Sequence, residues 1–81
     1  MIRRIQTALR EGKPAQVLAL GEQHRQRWPN GRFRQEREGA RVLAACKLQL
    51  PNARKRALAF VSKHRRGALT PRVRAACGLP P

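Results

Sequence analysis

Clusters of glycine, proline and other turn-forming residues divide this 81-residue chain into five short segments. Such residues end helices or form turns, so no regular element is expected to continue across a cluster. The chain can therefore fold only by packing several short elements against one another. The clusters occupy residues 12–14, 28–31, 50–52, 66–68 and 78–81.

The segments between these clusters carry apolar residues at helical spacing. In the second segment, Val17, Leu20, His24 and Trp28 recur at intervals of three or four residues, which is typical of the core face of a helix. In the last segment, Thr70 is predicted to be the N-cap. No stretch alternates with a period of two over the length of a strand, so the pattern predicts an all-α fold. The predicted helices cover about residues 2–11, 14–28, 32–48, 52–64 and 70–77, and the third is expected to be the most buried.

The two halves of the chain share an internal repeat. Ala8 and Pro14 recur as Ala45 and Pro51 at a spacing of 37 residues, whereas the core stripes align better at 36. This period is close to that of helical-hairpin repeats, which stack because one hairpin cannot bury its own apolar face. The alternative is a chance similarity between two helices rich in alanine and arginine. The repeat predicts a single domain of two stacked helical hairpins and a C-terminal capping helix, over about residues 2–28, 32–64 and 70–77.

Three runs carry a resemblance to a known family. The run ALREGKPAQVLAL at 8–20, followed by HRQRWPNG at 24–31, resembles a tetratricopeptide-like hairpin of the kind found in bacterial outer-membrane assembly lipoproteins and cell-division coordinators. The run EREGARVLAAC at 36–46 is similar to the next helix of such domains. The resemblance implies a bacterial protein-interaction scaffold whose family has no catalytic residues to carry over.

Charge is the second strong constraint. The chain has 19 lysines and arginines against four acidic residues, a formal net charge of +15, and residues 41–81 contain ten basic and no acidic residues. Such an imbalance raises the positive potential around the molecule and favours an anionic partner. The alternative is a solvated basic face without a function. The residues predicted to form an anion-binding or nucleic-acid-binding patch are Arg54, Lys55, Lys63, Arg65, Arg66, Arg72 and Arg74.

We therefore predict a non-enzymatic adaptor of tetratricopeptide-like type that binds an acidic protein or peptide. Its candidate groove residues, on the first and third helices, are Gln6, Arg10, Arg34 and Arg41. The alternative function is non-specific nucleic-acid binding by helices 4 and 5, with Trp28, Phe33 and Phe60 assigned to the core rather than to base stacking. A homodimer would cover an open apolar end of the stack, whereas attachment to a membrane surface is disfavoured by the many alanines opposite the charges of helix 4.

Catalytic, cofactor and metal sites are not expected. The chain has no aspartate, and Glu36 and Glu38 are two positions apart on a predicted helix, so they point to different sides. His24 and His64 lie at apolar helix edges, where packing is the usual role. These features predict that the protein is not an enzyme and holds no cofactor.

The two cysteines give the last expectation. Cys46 and Cys77 are 31 positions apart and form no CxxC pair, and the apolar neighbours of Cys46 predict an inert buried thiol. The start of the chain lacks the apolar segment of a secretory signal. Two cysteines and no signal together predict a reducing, cytoplasmic compartment. The alternative is a tail of a membrane-anchored parent protein, which would look the same.

Overall fold

The computed structural model describes residues 2–80, which form five α-helices and no strand. The all-α class predicted from the sequence is therefore confirmed. Within residues 2–80, no helix combines the length and the apolar character needed to cross a bilayer. The helices are α1 (Ile2–Arg10), α2 (Pro14–Arg27), α3 (Arg34–Lys47), α4 (Ala53–Lys63) and α5 (Thr70–Ala76).

Helix α3 lies at the centre of the molecule and contacts each of the other four helices. Its apolar side, including Leu43 and Ala44, is fully buried. Gly39 allows α4 and the turn before α5 to approach closely, because a Cβ at this position would come within 2.9 Å of Phe60 Cζ and Leu69 Cδ1. Helix α3 is thus the element against which the others are positioned.

The turn between α1 and α2 follows from Gly12 and Pro14. Gly12 adopts a φ of 71°, a conformation that glycine tolerates best, and the Lys13 amide donates to the Ala8 carbonyl at 2.9 Å. Pro14 is the first residue of α2, where its missing N–H costs no helical hydrogen bond. The chain therefore reverses within three residues, and α1 packs against α2.

The assignment of Trp28 and Phe33 to the core was wrong. Their exposed fractions are 45 % and 39 %, whereas Phe60 is buried as predicted. The prediction extended the helical period too far at both ends of the turn. Trp28 is the C-cap of α2 with ψ at 67°, and Phe33 precedes the first residue of α3, so neither lies on the stripe that its neighbours form.

Arg37 of α3 is buried beneath the turn between α2 and α3, and no pattern in the sequence predicts a charged core residue at this position. Its side chain is 2 % exposed, and its guanidinium donates to the carbonyls of Trp28 at 2.9 Å and Pro29 at 3.3 Å. It also pairs with Glu38 at 2.6 Å. A buried charge is tolerated only when it is bonded in this way, so Arg37 fixes the conformation of the turn.

The two cysteines form a disulfide, so the expectation of an inert buried thiol at Cys46 was wrong. Cys46 at the end of α3 is bonded to Cys77 directly after α5, with their Cα atoms 5.2 Å apart. Each cysteine sits singly near a helix end, and sequence spacing alone does not show which ends meet in space. Disulfides persist in oxidising compartments, so the argument for a cytoplasmic location from reduced thiols no longer holds, and the location stays a prediction.

The prediction of Thr70 as an N-cap was also wrong. Leu69 occupies the cap position and Thr70 is the first helical residue, 2 % exposed. The Thr70 hydroxyl donates to the carbonyl of His64 at the end of α4. Tertiary packing therefore uses this hydroxyl to join α4 to α5 rather than to cap α5.

Candidate functional site

A groove runs between α1, α3 and α5 and encloses a cavity of about 360 Å³. Helices α1 and α5 both contact α3 but not each other, and residues of all three helices and of the turn before α5 line the groove. We call this cavity the α1–α3–α5 groove. Its lining residues are Ile2, Ile5, Gln6, Leu9, Arg10, Glu36, Ala40, Ala68, Leu69 and Arg72.

The floor of the α1–α3–α5 groove is apolar. Ile5 and Leu9 of α1 and Ala40 of α3 are buried in the core, and Leu69 is packed against it. The rigid surface comes from three helices joined through one core, so it exists before any ligand arrives. A concave apolar floor of this kind fits the apolar side chains of a bound segment.

The rim of the groove is polar and mostly basic. Gln6 and Arg10 project from α1 and Arg72 from α5, and all three side chains are exposed. Glu36 of α3 adds one acidic group, and its Oε2 atom is buried with no hydrogen-bond partner among the described residues. The groove therefore offers two cationic groups and one unused acceptor around an apolar floor.

Of the four candidate groove residues predicted from the sequence, two line the groove and two lie elsewhere. Gln6 and Arg10 lie in the groove. Arg34 lines a different cavity of about 320 Å³ with Lys63 and His64. Arg41 lies between α2 and α3, where a Cβ on Gly21 would come within 2.6 Å of Arg41 Cγ.

Arg41 does not line the groove, and its side chain instead forms ion pairs between α2 and α3. Its guanidinium bonds to Glu22 and Glu38 at 3.3 Å each, and only 18 % of the side chain is exposed. Glu22 also accepts hydrogen bonds from Arg25, and these lower the pKa of Glu22 to about 2. This network joins α2 to α3 and uses two of the four acidic side chains.

The predicted basic patch does not converge on one cavity. Arg72 lies at the groove rim, Arg65 and Arg74 line a third cavity of about 470 Å³, and Lys63 lies beside Arg34. Arg74 is half-buried and donates to the Pro80 carbonyl at 2.9 Å. The exposed side chains of Arg54, Lys55 and Arg66 line none of these three cavities.

The exposed turn between α2 and α3 was missed as a surface by sequence reasoning. Trp28, Phe33 and Arg32 line a cavity of about 330 Å³ there, together with His24 and Gly31. Burial and the nearby Arg37 charge lower the pKa of His24, whose ring lies 5.2 Å from that of Trp28. The available signal was the alternation of arginine and aromatic residues in RWPNGRFR at 27–34.

No protein-family model, curated protein sequence or solved structure matches this chain. Among residues 2–80, no three histidine, cysteine, aspartate or glutamate side chains cluster as metal ligands would.

Proposed function

We propose that the protein is a tetratricopeptide-like adaptor that binds a short acidic segment of a partner protein in the α1–α3–α5 groove. In this proposal α1–α2 and α3–α4 are two stacked hairpins and α5 is the capping helix. The packing of α1 and α5 on either side of α3 supports it, because the first helix of each unit then lines one concave surface. The observation that carries the proposal is the combination of an apolar floor with the cationic rim groups Arg10 and Arg72.

The rim specifies the kind of segment that fits. Carboxylates of the partner pair with Arg10 and Arg72, and an apolar side chain enters between Leu9 and Leu69. The longest dimension of the molecule is 32 Å, which limits an extended bound segment to roughly nine residues.

A displayed library of 12-residue peptides tests this function. The immobilised protein should select peptides that carry acidic residues on both sides of an apolar residue. The double variant Arg10→Glu with Arg72→Glu should bind the selected peptides about tenfold or more weakly, because it reverses both rim charges. The matched control is Arg54→Glu with Arg66→Glu, which changes the net charge equally at exposed positions away from the groove.

Two results would contradict the proposal. Equal weakening in both double variants would show that peptides bind the overall positive field and not the groove. Failure of the folded wild-type protein to enrich any such peptide would also exclude it.

A further inference from the structure

The turn between α2 and α3 presents two large aromatic side chains to solvent. Trp28 is 45 % exposed and Phe33 is 39 % exposed, and both line the same cavity of about 330 Å³. Exposed aromatic rings that share a cavity are unusual on a small soluble protein, in which such rings are mostly buried. We call the surface formed by Arg27, Trp28, Arg32 and Phe33 the aromatic turn.

An arginine guanidinium lies over each aromatic ring of the aromatic turn. The Arg27 guanidinium lies 5.0 Å from the centre of the Trp28 ring, and the Arg32 guanidinium lies 5.3 Å from the centre of the Phe33 ring. Both arginines are exposed, and neither takes part in an ion pair among residues 2–80. The aromatic turn therefore places uncompensated positive charge over one face of each ring, and each ring stays partly exposed.

Acidic groups are absent from the stretch that forms the aromatic turn. Residues 23–35 contain no aspartate or glutamate. The nearest acidic residues on either side are Glu22, which is paired with Arg25 and Arg41, and Glu36, which lines the α1–α3–α5 groove. The charge of this surface is thus complementary to a polyanion.

Buried side chains beneath the turn also hold its backbone and the Trp28 ring in place. Arg37 is buried beneath it and donates to the carbonyls of Trp28 and Pro29, and the buried His24 ring lies against Trp28. A preformed surface loses less conformational entropy on binding than a flexible loop. The rings are therefore presented in a defined arrangement before a ligand binds.

We propose that the aromatic turn binds single-stranded nucleic acid, with bases stacked on Trp28 and Phe33 and phosphates paired with Arg27 and Arg32. Stacking on aromatic side chains beside a positive groove is the usual physical basis of sequence-tolerant single-strand binding. Bases of a duplex are stacked on each other and do not reach such rings, so a single strand is the better ligand. This site differs from the helix 4 and helix 5 surface suggested by charge alone.

Trp28 makes the test direct because it is the only tryptophan and the chain has no tyrosine. The fluorescence of the protein therefore reports on the proposed stacking position itself. We expect titration with a 12-residue oligothymidylate to quench this fluorescence, and the matched duplex to quench it much less. Inorganic polyphosphate, which has charge but no bases, should bind without quenching.

Substitutions distinguish base stacking on the aromatic rings from general electrostatic attraction to the positively charged protein. Phe33→Ala should weaken oligothymidylate binding about fivefold or more, as expected for loss of one stacking contact. The matched control Leu58→Ala removes another exposed apolar side chain, from α4, and should bind as the wild type does. Arg27→Gln with Arg32→Gln should weaken binding more than Arg54→Gln with Arg66→Gln.

The proposal is overturned if oligothymidylate binds without quenching Trp28, or if polyphosphate quenches equally. It is also overturned if the two arginine pairs weaken binding to the same extent, since that result would indicate attraction to the whole surface. The Arg10→Glu and Arg72→Glu variant should retain the quenching, so this test stands independently of peptide binding in the groove.

Discussion

At the residue scale, the buried Arg37 connects the core to the exposed surface. Its guanidinium holds the carbonyls of Trp28 and Pro29 at the end of α2 and pairs with Glu38 of α3. Charges are seldom fully buried without such partners. One side chain thus closes the turn between α2 and α3 and fixes the backbone that carries Trp28.

Replacing Arg37 by alanine should lower the free energy of unfolding by about 2–4 kcal/mol. The loss arises because the carbonyls of Trp28 and Pro29 lose the hydrogen bonds that Arg37 donates, which leaves the Trp28 carbonyl with the Gly31 amide at 3.2 Å, and because a cavity remains. Urea denaturation followed by circular dichroism measures the change. Arg34→Ala, at an exposed position on the same helix, is the control and should change stability little. Equal effects of the two substitutions would show that Arg37 does not hold the turn.

The buried His24 predicts a pH dependence of stability. Desolvation lowers its pKa in the folded state, with a further contribution from the Arg37 charge. Between pH 7.5 and 5.5 the unfolded chain therefore takes up a proton at this site more readily than the folded chain does, and stability falls as the pH falls. His24→Gln should reduce that fall, because it removes the titrating group. A wild-type stability that is constant over this range would contradict the prediction.

At the element scale, the sequence was informative where helical periodicity applies. All five helices were predicted with ends within two residues of those observed, because proline and glycine mark every turn. The core position of Phe60 in α4 was also predicted. Helical periodicity does not apply outside the helices. Trp28 and Phe33 lie just beyond helix ends, and for this reason they were wrongly predicted to be buried.

The candidate site was predictable only in part. Gln6 and Arg10 were expected in the groove, because they lie on the polar side of a helix whose apolar side was evident. Arg41 was wrongly assigned to the groove because it pairs with Glu22. That residue is distant in sequence and close in space, so no local pattern predicts the pair. The contribution of Arg72 depends on how α5 packs against α3, and no local pattern specifies that packing.

The disulfide joins the ends of α3 and α5 across 31 positions. Breaking it releases a loop of this length in the unfolded chain, so Cys46→Ala with Cys77→Ala should lower the free energy of unfolding by about 3–4 kcal/mol. This is a large share of the stability of so small a core. Thermal and urea denaturation measure the effect. Dithiothreitol should destabilise the wild-type protein and leave the double variant unchanged; an insensitive wild type would refute the bond's role.

At the scale of the whole molecule, net charge opposes folding. The formal charge is +15, and within residues 2–80 the observed ion pairs involve only Lys13, Arg25, Arg37 and Arg41 as cations. The remaining positive charges repel one another across a molecule only 32 Å long. Both proposed ligands are polyanionic or acidic, so each would relieve this repulsion when bound.

Added salt should therefore stabilise the free protein. The Debye length falls from about 30 Å at 0.01 M to about 3 Å at 1 M, which screens repulsion across the whole surface. We expect the urea midpoint to rise steadily with sodium chloride concentration. Arg54→Glu with Arg66→Glu removes repulsion at exposed positions and should show a shallower rise. A midpoint that falls with salt would mean that attraction between charges dominates the fold.

The proposed binding of an acidic peptide in the α1–α3–α5 groove can be mapped residue by residue. The measurement is a titration of ¹⁵N-labelled protein with the strongest peptide from the library, followed in ¹⁵N–¹H correlation spectra. We predict that the largest shift changes occur at groove amides, including those of Gln6, Leu9, Ala40 and Arg72. Changes concentrated on the exposed side of α4 around Arg54 and Leu58, or spread evenly over the molecule, would contradict the claim.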